Sequence, residues 1–300
     1  MLFTAYASSL FNVISNYMMS GYGYADDTQL LKFFSPKLSD QNESLKNVED
    51  CLASVQAWML KHKLKLNDGK TEVILFGSRQ QLEKINMHHV KVGSNEINIV
   101  DNVRSLGFWL DSRLSMETHV NHICKRVNYS LHNLRRIRKY LTQGATECLV
   151  HSLITSHLDY VNSVMYGMPQ FLFDKLQRLQ NNAARLVLGL RKYDRISQSL
   201  RDLHWLPVRE RVQFKILLLI FKVLQNKAPV YLTDLIVRSN STYSLPSRNS
   251  LTLDVPRSHN KLNDRAFAVA GPTRWNSLPH QLRRITSENE FKSAIDIPLQ

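Results

Sequence analysis

Cysteine, acidic residues and long apolar runs are scarce in this sequence. Three cysteines among 300 residues (Cys51, Cys124 and Cys148) are too few and too widely spaced for a disulfide scaffold, which favours a reducing compartment. The stretch Met1–Ser20 is apolar but lacks a basic segment and contains several polar residues, so it fits neither a signal peptide nor a membrane span. The apolar run Ile216–Phe221 is far too short to cross a bilayer. We therefore expect an intracellular protein, nuclear or cytoplasmic, that is not secreted and has no membrane partner.

Two common catalytic signatures are also missing, because the sequence contains neither a glycine-rich phosphate loop nor a Ser/His/Asp arrangement with recognisable local motifs. Acidic residues are outnumbered by basic ones, 25 to 39, which gives a formal net charge of +14. An excess of this size favours a polyanionic partner because phosphate contacts release counterions, although a plain solvated basic surface has the same composition. The hydrophobic share of 43% can fill a core, which excludes wholesale disorder.

The pattern of predicted elements divides the chain into three segments, 1–111, 112–190 and 191–300. The first segment mixes helices and strands, which predicts an α/β unit. Its predicted elements are a helix over 3–17, a hairpin over 21–30, an amphipathic helix over 45–62, a strand over 72–76 and a pair of strands over 97–100 and 106–110.

The other two segments are predominantly helical. In segment 112–190 an apolar stripe from Val120 to Leu141 predicts a long helix, and further helices are expected over 145–158, with Cys148 in the core, and over 171–188. Segment 191–300 contains an apolar helix over 211–224 and a short helix near its end. It also contains a polar stretch over 238–250 and a strand-like alternation over 251–255.

The sharpest local feature is a pair of adjacent carboxylates, Asp26 and Asp27, at the predicted hairpin turn after Tyr24. Neighbouring anions repel unless a cation neutralises them, and Mg²⁺ accepts one or two carboxylates while it keeps water and phosphate ligands. Two such ions can stabilise the attacking and leaving oxygens of phosphoryl transfer. The alternative is an ordinary acidic turn, a common place for aspartate.

Several stretches share one order with a known family. They are Tyr24–Leu30 (YADDTQL), Leu64–Glu72, Val103–Asp111, Leu158–Tyr160, Gln180–Arg185, Leu203–Val208, Arg265–Phe267 and Trp275–Pro279. Together they resemble the reverse transcriptases of LINE-type (non-LTR) retrotransposons of the CR1, L2 and Jockey kind, over nearly the whole chain. The resemblance implies a truncated reverse-transcriptase palm over 1–111, a helical thumb over 112–190 and a mostly α-helical C-terminal retrotransposon domain over 191–300.

The resemblance also implies roles for individual residues. Asp26 and Asp27 would be metal ligands for Mg²⁺, Tyr24 would lie beside the primer terminus, and Lys70 would protonate the departing pyrophosphate. Leu106 and Gly107 belong to the hairpin that would hold the primer end. The implied partners are an RNA template with a DNA primer, or an RNA–DNA hybrid, and a dNTP if the palm were complete. For Lys70, an exposed turn lysine is the equal alternative.

One departure from the family bears on activity. Asp26 is the first acidic residue of the sequence, so no earlier strand supplies the further metal-binding aspartate that such a palm needs, and no fingers precede it. We therefore expect an RNA-directed DNA polymerase that is truncated and inactive alone, because a two-metal site without one shared carboxylate binds metal weakly. The alternatives are a non-catalytic nucleic-acid-binding remnant of a retrotransposon and an unstable fragment without function.

Basic residues concentrate in the predicted thumb. No acidic residue lies between Asn121 and Tyr140, and the cations there are Lys125, Arg126, Arg135, Arg136, Arg138 and Lys139. On a helix they fall beside the apolar stripe, where they can contact nucleic-acid phosphates without reading bases. The alternative is a plain basic surface. His119, His122 and Cys124 hint only weakly at zinc, because Cys124 points away from the two histidines and no fourth ligand is near.

Overall fold

A computed structural model describes residues 2–93, 95–191, 193–239, 251–258 and 260–295. The chain divides into two compact units, one within residues 1–118 and one within residues 119–300. Helices and three small sheets make up a mixed α/β protein, which confirms the predicted α/β class. The division into three segments stays a prediction. Within the described residues, no helix combines the length and hydrophobicity that a bilayer crossing needs.

The first unit contains three helices and seven strands among its described residues. They are α1 (Leu2–Ser15), β1 (Ser20–Tyr24), β2 (Asp27–Leu31), α2 (Leu38–Lys61), β3 (Val73–Ile74), α3 (Arg79–Leu82), β4 (His89–Val92), β5 (Asn95–Val100), β6 (Asn102–Ser105) and β7 (Phe108–Asp111). The two predicted helices and the predicted hairpin are confirmed. The strand predicted over 72–76 is reduced to β3.

Strand pairing differs from the sequence prediction. The strands within 97–100 and 106–110 do not pair with each other: β5 lies between β3, which is parallel to it, and β4, which is antiparallel, and β7 pairs with β6. The reason is a tight turn at Leu106 and Gly107, whose φ angles are 47° and 83°. This turn folds Phe108 back onto Ser105, so the partner of β7 is the strand immediately before it.

Helix α2 forms the centre of the first unit because its wide apolar surface contacts both α1 and β4. Cys51, Val55 and Trp58 pack against α1, and Leu52 packs against Val90 and Val92 of β4. The four-residue and three-residue steps between these positions are those of one helix surface.

The β1–β2 hairpin lies directly on α1 because its inner face carries glycines. A Cβ atom at Gly23 would lie 2.7 Å from Phe11 Cζ, and one at Gly21 would lie 3.0 Å from Phe11 Cδ1. Real Cβ atoms essentially never make a contact of 2.7 Å, and a contact of 3.0 Å is tighter than most. The spacing Gly-Tyr-Gly-Tyr therefore has a steric reason: glycines face the helix and tyrosines face outwards.

The second unit is helical. Its elements are α4 (Glu117–Ile137, whose first two residues fall in the first unit), α5 (Gln143–Val150), a π-helical turn (His151–Thr155), α6 (Ser156–Asp159), α7 (Gln170–Leu188), α8 (Ile196–Asp202), α9 (Val208–Leu224), α10 (Val230–Thr233), α11 (Phe267–Asn276), α12 (His280–Arg283) and α13 (Glu288–Ile295). The predicted long helices are confirmed. Two predicted details were wrong. The buried stripe of α4 does not continue to Leu141 but ends at Leu134, since Ile137 is exposed, and Cys148 is exposed and not in the core.

The core at the C-terminal end of this unit surrounds α9. Phe221 stacks on Phe291 of α13, and Trp275 of α11 packs beside them. Among the described residues, the strand predicted over 251–255 is present as a single bridge between Arg238 and Leu253, with hydrogen bonds from the Ser239 N–H to the Thr252 carbonyl and from the Asp254 N–H to the Val237 carbonyl. The backbone N–H and C=O of Leu253 bond to the side chain of Asn276, at 2.9 and 2.8 Å. Most of the polar stretch predicted over 238–250 lies outside the described residues.

Side-chain amides and one ion pair connect the middle helices of the second unit. Gln180 donates to the Leu206 carbonyl at 2.8 Å, and Gln177 accepts from the Val208 N–H at 2.9 Å. Arg211 forms an ion pair with Asp159. These bonds join helix α7 to the segment Leu206–Val208 at the start of α9. The motif residues in Leu158–Tyr160, Gln180–Arg185 and Leu203–Val208 therefore lie in parts of the unit that contact each other.

Candidate functional site

The paired acids lie at the tip of a two-residue hairpin turn. Tyr24 pairs with Asp27, which leaves Ala25 and Asp26 as the turn, and Ala25 adopts a left-handed φ of 54°. Because directly paired residues share a face, Tyr24 and Asp27 lie on the outer face, opposite the face that packs on α1. Both carboxylates are exposed, and Tyr24 retains 68% of its accessible surface.

The same outer face contacts the second hairpin. Gln29, two residues after Asp27 and on its face, donates a hydrogen bond to Ser105 Oγ, 76 residues away in sequence. Ser105 immediately precedes Leu106 and Gly107, both exposed at the β6–β7 turn. The structure therefore brings together two of the sequence-predicted site segments, the acidic hairpin and the Leu106–Gly107 hairpin.

The donor set at the acidic turn is small. Among the residues that the structure describes, no group of three His, Cys, Asp or Glu side chains could hold a metal ion. Asp26 and Asp27 alone could share one hydrated Mg²⁺, but they do not fit a two-ion site, which needs a further carboxylate. Lys70 is exposed at the end of a 3₁₀ turn, and within the described part of the chain no ion pair joins it to either aspartate. Its catalytic role stays a prediction.

Asp111, a residue that the sequence reasoning gave no separate role, shapes the loop before α4. Its carboxylate accepts hydrogen bonds from the backbone N–H groups of Ser115 at 2.8 Å and Met116 at 2.9 Å, and a longer one from Arg113. Both oxygens of this buried side chain are thus used by the backbone. The signal in the sequence is an aspartate followed by a short polar segment before a helix, which is typical of a local Asx cap.

Helix α4 presents a continuous cationic and aromatic surface to solvent. Its buried residues, Val120, Ile123, Val127, Leu131 and Leu134, define the inner face. The opposite face carries Lys125, Tyr129, His132 and Arg136, all exposed, at steps of four, three and four residues. We call these four residues the outer stripe. Sequence reasoning missed Tyr129, 70% exposed, and His132, although their helical spacing from the two cations was a readable signal.

Two further cations lie beside α4 on the neighbouring helix α7. Lys175 Nζ donates to Asn121 Oδ1 at 3.1 Å, and Arg178 is exposed one turn later. Burial raises the pKa of the Cys124 thiol, and the positive charges of Lys175 and Arg178 oppose that rise, which is consistent with their closeness to α4. These residues extend the basic surface, and they were missed because the proximity of α4 and α7 is a tertiary property.

The predicted basic residues are not equivalent. Lys125, Arg126, Arg135, Arg136 and Lys139 are exposed. Arg138 is half-buried, and its guanidinium donates to three backbone carbonyls, those of Leu186 (2.8 Å), Val187 (3.0 Å) and Leu141 (2.9 Å). Two of these carbonyls belong to the last turn of α7, which has no intrahelical donors for them. Arg138 therefore joins α4 to the end of α7.

Replacing Arg138 with alanine is expected to lower the free energy of unfolding by about 2 kcal/mol, because three charge-assisted hydrogen bonds disappear together. Urea unfolding followed by circular dichroism measures this change. The matched control is Arg136→Ala, an exposed arginine two residues earlier, which should change the free energy by no more than about 0.5 kcal/mol. Equal effects of the two substitutions would contradict the structural role.

The weak zinc hint receives no support from the described residues. His119 is buried, with 4% of its surface exposed, while His122 is exposed. Burial, with a smaller contribution from His122, lowers the pKa of His119 to about 4. This imidazole is therefore neutral at physiological pH and belongs to the packing of α4.

Comparison with protein-family models, with curated proteins and with solved structures gave no significant match to this chain. The resemblance to LINE-type reverse transcriptases therefore depends on the ordered motifs alone.

Proposed function

We propose that this chain is of the LINE reverse-transcriptase type, an RNA-directed DNA polymerase by descent, that it binds an RNA–DNA hybrid or a primed template, and that it does not polymerise DNA alone. In this proposal the first unit contributes a partial palm. The helices α4 to α7 correspond to the thumb, and the later helices to the C-terminal retrotransposon domain.

The observation that carries the proposal is the contact of the two hairpins. Gln29 of the YADD hairpin reaches Ser105 of the hairpin that resembles a primer grip, although 76 residues separate them. In a polymerase of this type the primer end must lie beside the metal-binding carboxylates. The exposed Tyr24, Asp27 and Leu106 on these two hairpins are consistent with that arrangement.

The outer stripe supports a phosphate-binding role for the second unit. Two cations, an aromatic ring and an imidazole lie on one helix face, and α4 carries only one carboxylate, Glu117 in its first turn. Lysine and arginine contact phosphates, whereas tyrosine can stack on sugar or base. Because α4 places these groups opposite its buried stripe, they can contact a backbone without unfolding the helix.

Inactivity of the chain alone follows from the small donor set. Asp26 and Asp27 would hold one Mg²⁺ with water, and such an ion would supply charge neutralisation for phosphate. A second ion needs a carboxylate that the described residues do not bring to this hairpin. The alternative, a non-catalytic nucleic-acid-binding remnant, makes the same binding prediction and differs only in whether a completed palm would restore synthesis.

A primer-extension assay tests this function. We expect the purified chain to bind an RNA–DNA hybrid in fluorescence anisotropy, yet to add no nucleotide to a primed RNA in the presence of Mg²⁺ and all four dNTPs. In the absence of Mg²⁺, the variant Asp26→Asn/Asp27→Asn should bind the hybrid at least as tightly as the wild type does, since the cationic contacts lie on α4 and the substitutions remove only negative charge. Template-dependent extension by the wild type would contradict the incomplete site, and absence of hybrid binding would contradict the proposed function itself.

A further inference from the structure

Tyr166 of the second unit holds two arginine side chains that come from a distant part of the sequence. Arg265 Nε donates a hydrogen bond to the Tyr166 carbonyl at 3.1 Å, and Arg274 Nε, on α11, donates to the Tyr166 hydroxyl at 3.1 Å. The guanidinium carbon of Arg274 also lies 5.5 Å from the centre of the Tyr166 ring. One tyrosine thus fixes two positive charges, 99 and 108 residues away in sequence. We call these three residues the Tyr166 cluster.

The residue after Tyr166 has to be a glycine for this arrangement to form. Gly167 has a left-handed φ of 69°, and a Cβ atom at this position would lie 2.6 Å from Arg265 Cγ. A side chain here would therefore strain the backbone and displace the stem of Arg265. The seating of Arg265 against the backbone beside Tyr166 is thus a specific feature of the sequence.

The terminal nitrogens of Arg274 are available to a ligand. Arg274 and Tyr166 are both partly exposed. Among the residues that the structure describes, Arg274 Nη1 and Nη2 have no hydrogen-bond partner, and neither atom is buried. The Tyr166 hydroxyl accepts from Arg274 Nε, so its own proton can be donated to a ligand. Because Nε is already held, binding through the Nη atoms costs less side-chain entropy than it would for a mobile arginine.

From this geometry we propose that the Tyr166 cluster binds a phosphate of a nucleic-acid backbone, through Arg274 Nη1 and Nη2 and the Tyr166 hydroxyl, with Arg265 as a second positive charge. A guanidinium fork matches two oxygens of a phosphate. The cluster lies at the surface, whereas sites for small ligands are usually concave, so a polymer that also makes contacts elsewhere is favoured over a free phosphorylated molecule. The inference rests on the proposed function, since it requires that the chain binds nucleic acid, and it adds a contact outside α4.

Modification of arginines with phenylglyoxal, followed by mass spectrometry of the full chain, tests the site without any substitution. With the RNA–DNA hybrid bound at saturation, we expect modification of Arg274 to slow about fivefold, because a guanidinium paired with phosphate is shielded from the reagent. Modification of Arg201, an exposed arginine of α8, should stay unchanged. Arg136 of the outer stripe reports on the proposed function in the same sample.

The outcomes separate this inference from the proposed function. Protection of Arg136 without protection of Arg274 would overturn the inference, leave the proposed function intact and assign the Tyr166 cluster to packing alone. Absence of hybrid binding would contradict both. Inorganic phosphate, at the same concentration of phosphate groups, should leave Arg274 reactive. Equal protection by inorganic phosphate and by the hybrid would overturn the assignment to a nucleic-acid strand.

A substitution gives the second measurement. Arg274→Gln should weaken hybrid binding about fivefold and lower the slope of log K against log salt concentration by about 0.9, since one phosphate contact is lost. The control Arg201→Gln removes the same charge and should change neither quantity. If Arg274 only fastened Tyr166 to α11, its substitution would lower stability but not the slope, so an unchanged slope and affinity would overturn the proposal. Should Arg274→Gln fail to fold, protection of the wild-type Arg274 decides the matter.

Discussion

Replacing Lys125 and Arg136 together with glutamate is expected to weaken binding of an RNA–DNA hybrid at least a hundredfold. The two residues lie on the same face of α4, eleven positions and about 16 Å apart, so they can contact two separate phosphates. Each reversal removes an attractive contact and adds a repulsive one. A hundredfold change corresponds to about 2.7 kcal/mol, which two such reversals can supply.

The salt dependence of binding gives a sharper test than affinity alone. For Lys125→Ala/Arg136→Ala, we expect the slope of log K against log salt concentration to decrease by about 0.9 for each lost phosphate contact. Fluorescence anisotropy with a labelled hybrid at several salt concentrations measures both quantities.

The matched control for both versions replaces Arg201 and Lys215, which are exposed cations of α8 and α9. The glutamate and alanine forms of this pair change the net charge by the same amounts as the outer-stripe variants. If the control pair lowers affinity as much as the outer-stripe pair, binding reflects net charge and not the surface of α4, and the proposed interface is wrong.

Acidification is expected to destabilise the second unit through His119. The pKa of this buried imidazole is about 4 in the folded protein, below its ordinary value of about 6.5 in an unfolded chain. Between these values the unfolded state binds the extra proton and the folded state does not, so stability falls as the pH falls through this window. Above about pH 6.5 protonation of His119 has no effect on the free energy of unfolding. By pH 4 it has lowered this free energy by about 3 kcal/mol.

Urea unfolding of the wild type and of His119→Gln between pH 7.5 and pH 4 measures this loss. Glutamine does not titrate in this range, so the variant should lose about 3 kcal/mol less than the wild type, whatever its stability at neutral pH. The control His132→Gln, at an exposed position on the outer stripe of α4, should follow the wild-type curve. Parallel curves for wild type and His119→Gln would show that the imidazole is not desolvated.

Local patterns predicted much of the fold because they are properties of neighbouring residues. The three-residue and four-residue steps of α2 and α4 predicted these two helices, the boundary residues Pro169 and Gly189 predicted α7, and a strongly apolar segment predicted α9. The predicted pairing of β5 with β7 was wrong because a short strand that was not predicted, β6, lies between them in sequence and is the partner of β7. Only the left-handed Leu106 in the structure reveals the short turn that makes β6 the partner of β7.

The residues of the candidate site were predicted from the sequence, but the contacts between them were not. Asp26 and Asp27 at a tight turn follow from the sequence, as do the cations of α4. The hydrogen bond of Gln29 to Ser105 does not, because it depends on how two hairpins pack. Arg138 shows the same limit: among six basic residues in one stretch, only the position of the α7 end distinguishes the one whose guanidinium is already bound.

The close seating of Gly23 on Phe11 has a consequence for the acidic turn. The aromatic ring determines the distance between the hairpin and α1. The side chain at position 11 therefore influences the position of the two carboxylates, although it does not belong to the turn that carries them. Substitutions at Phe11, and not only at the aspartates, can therefore displace the acidic turn.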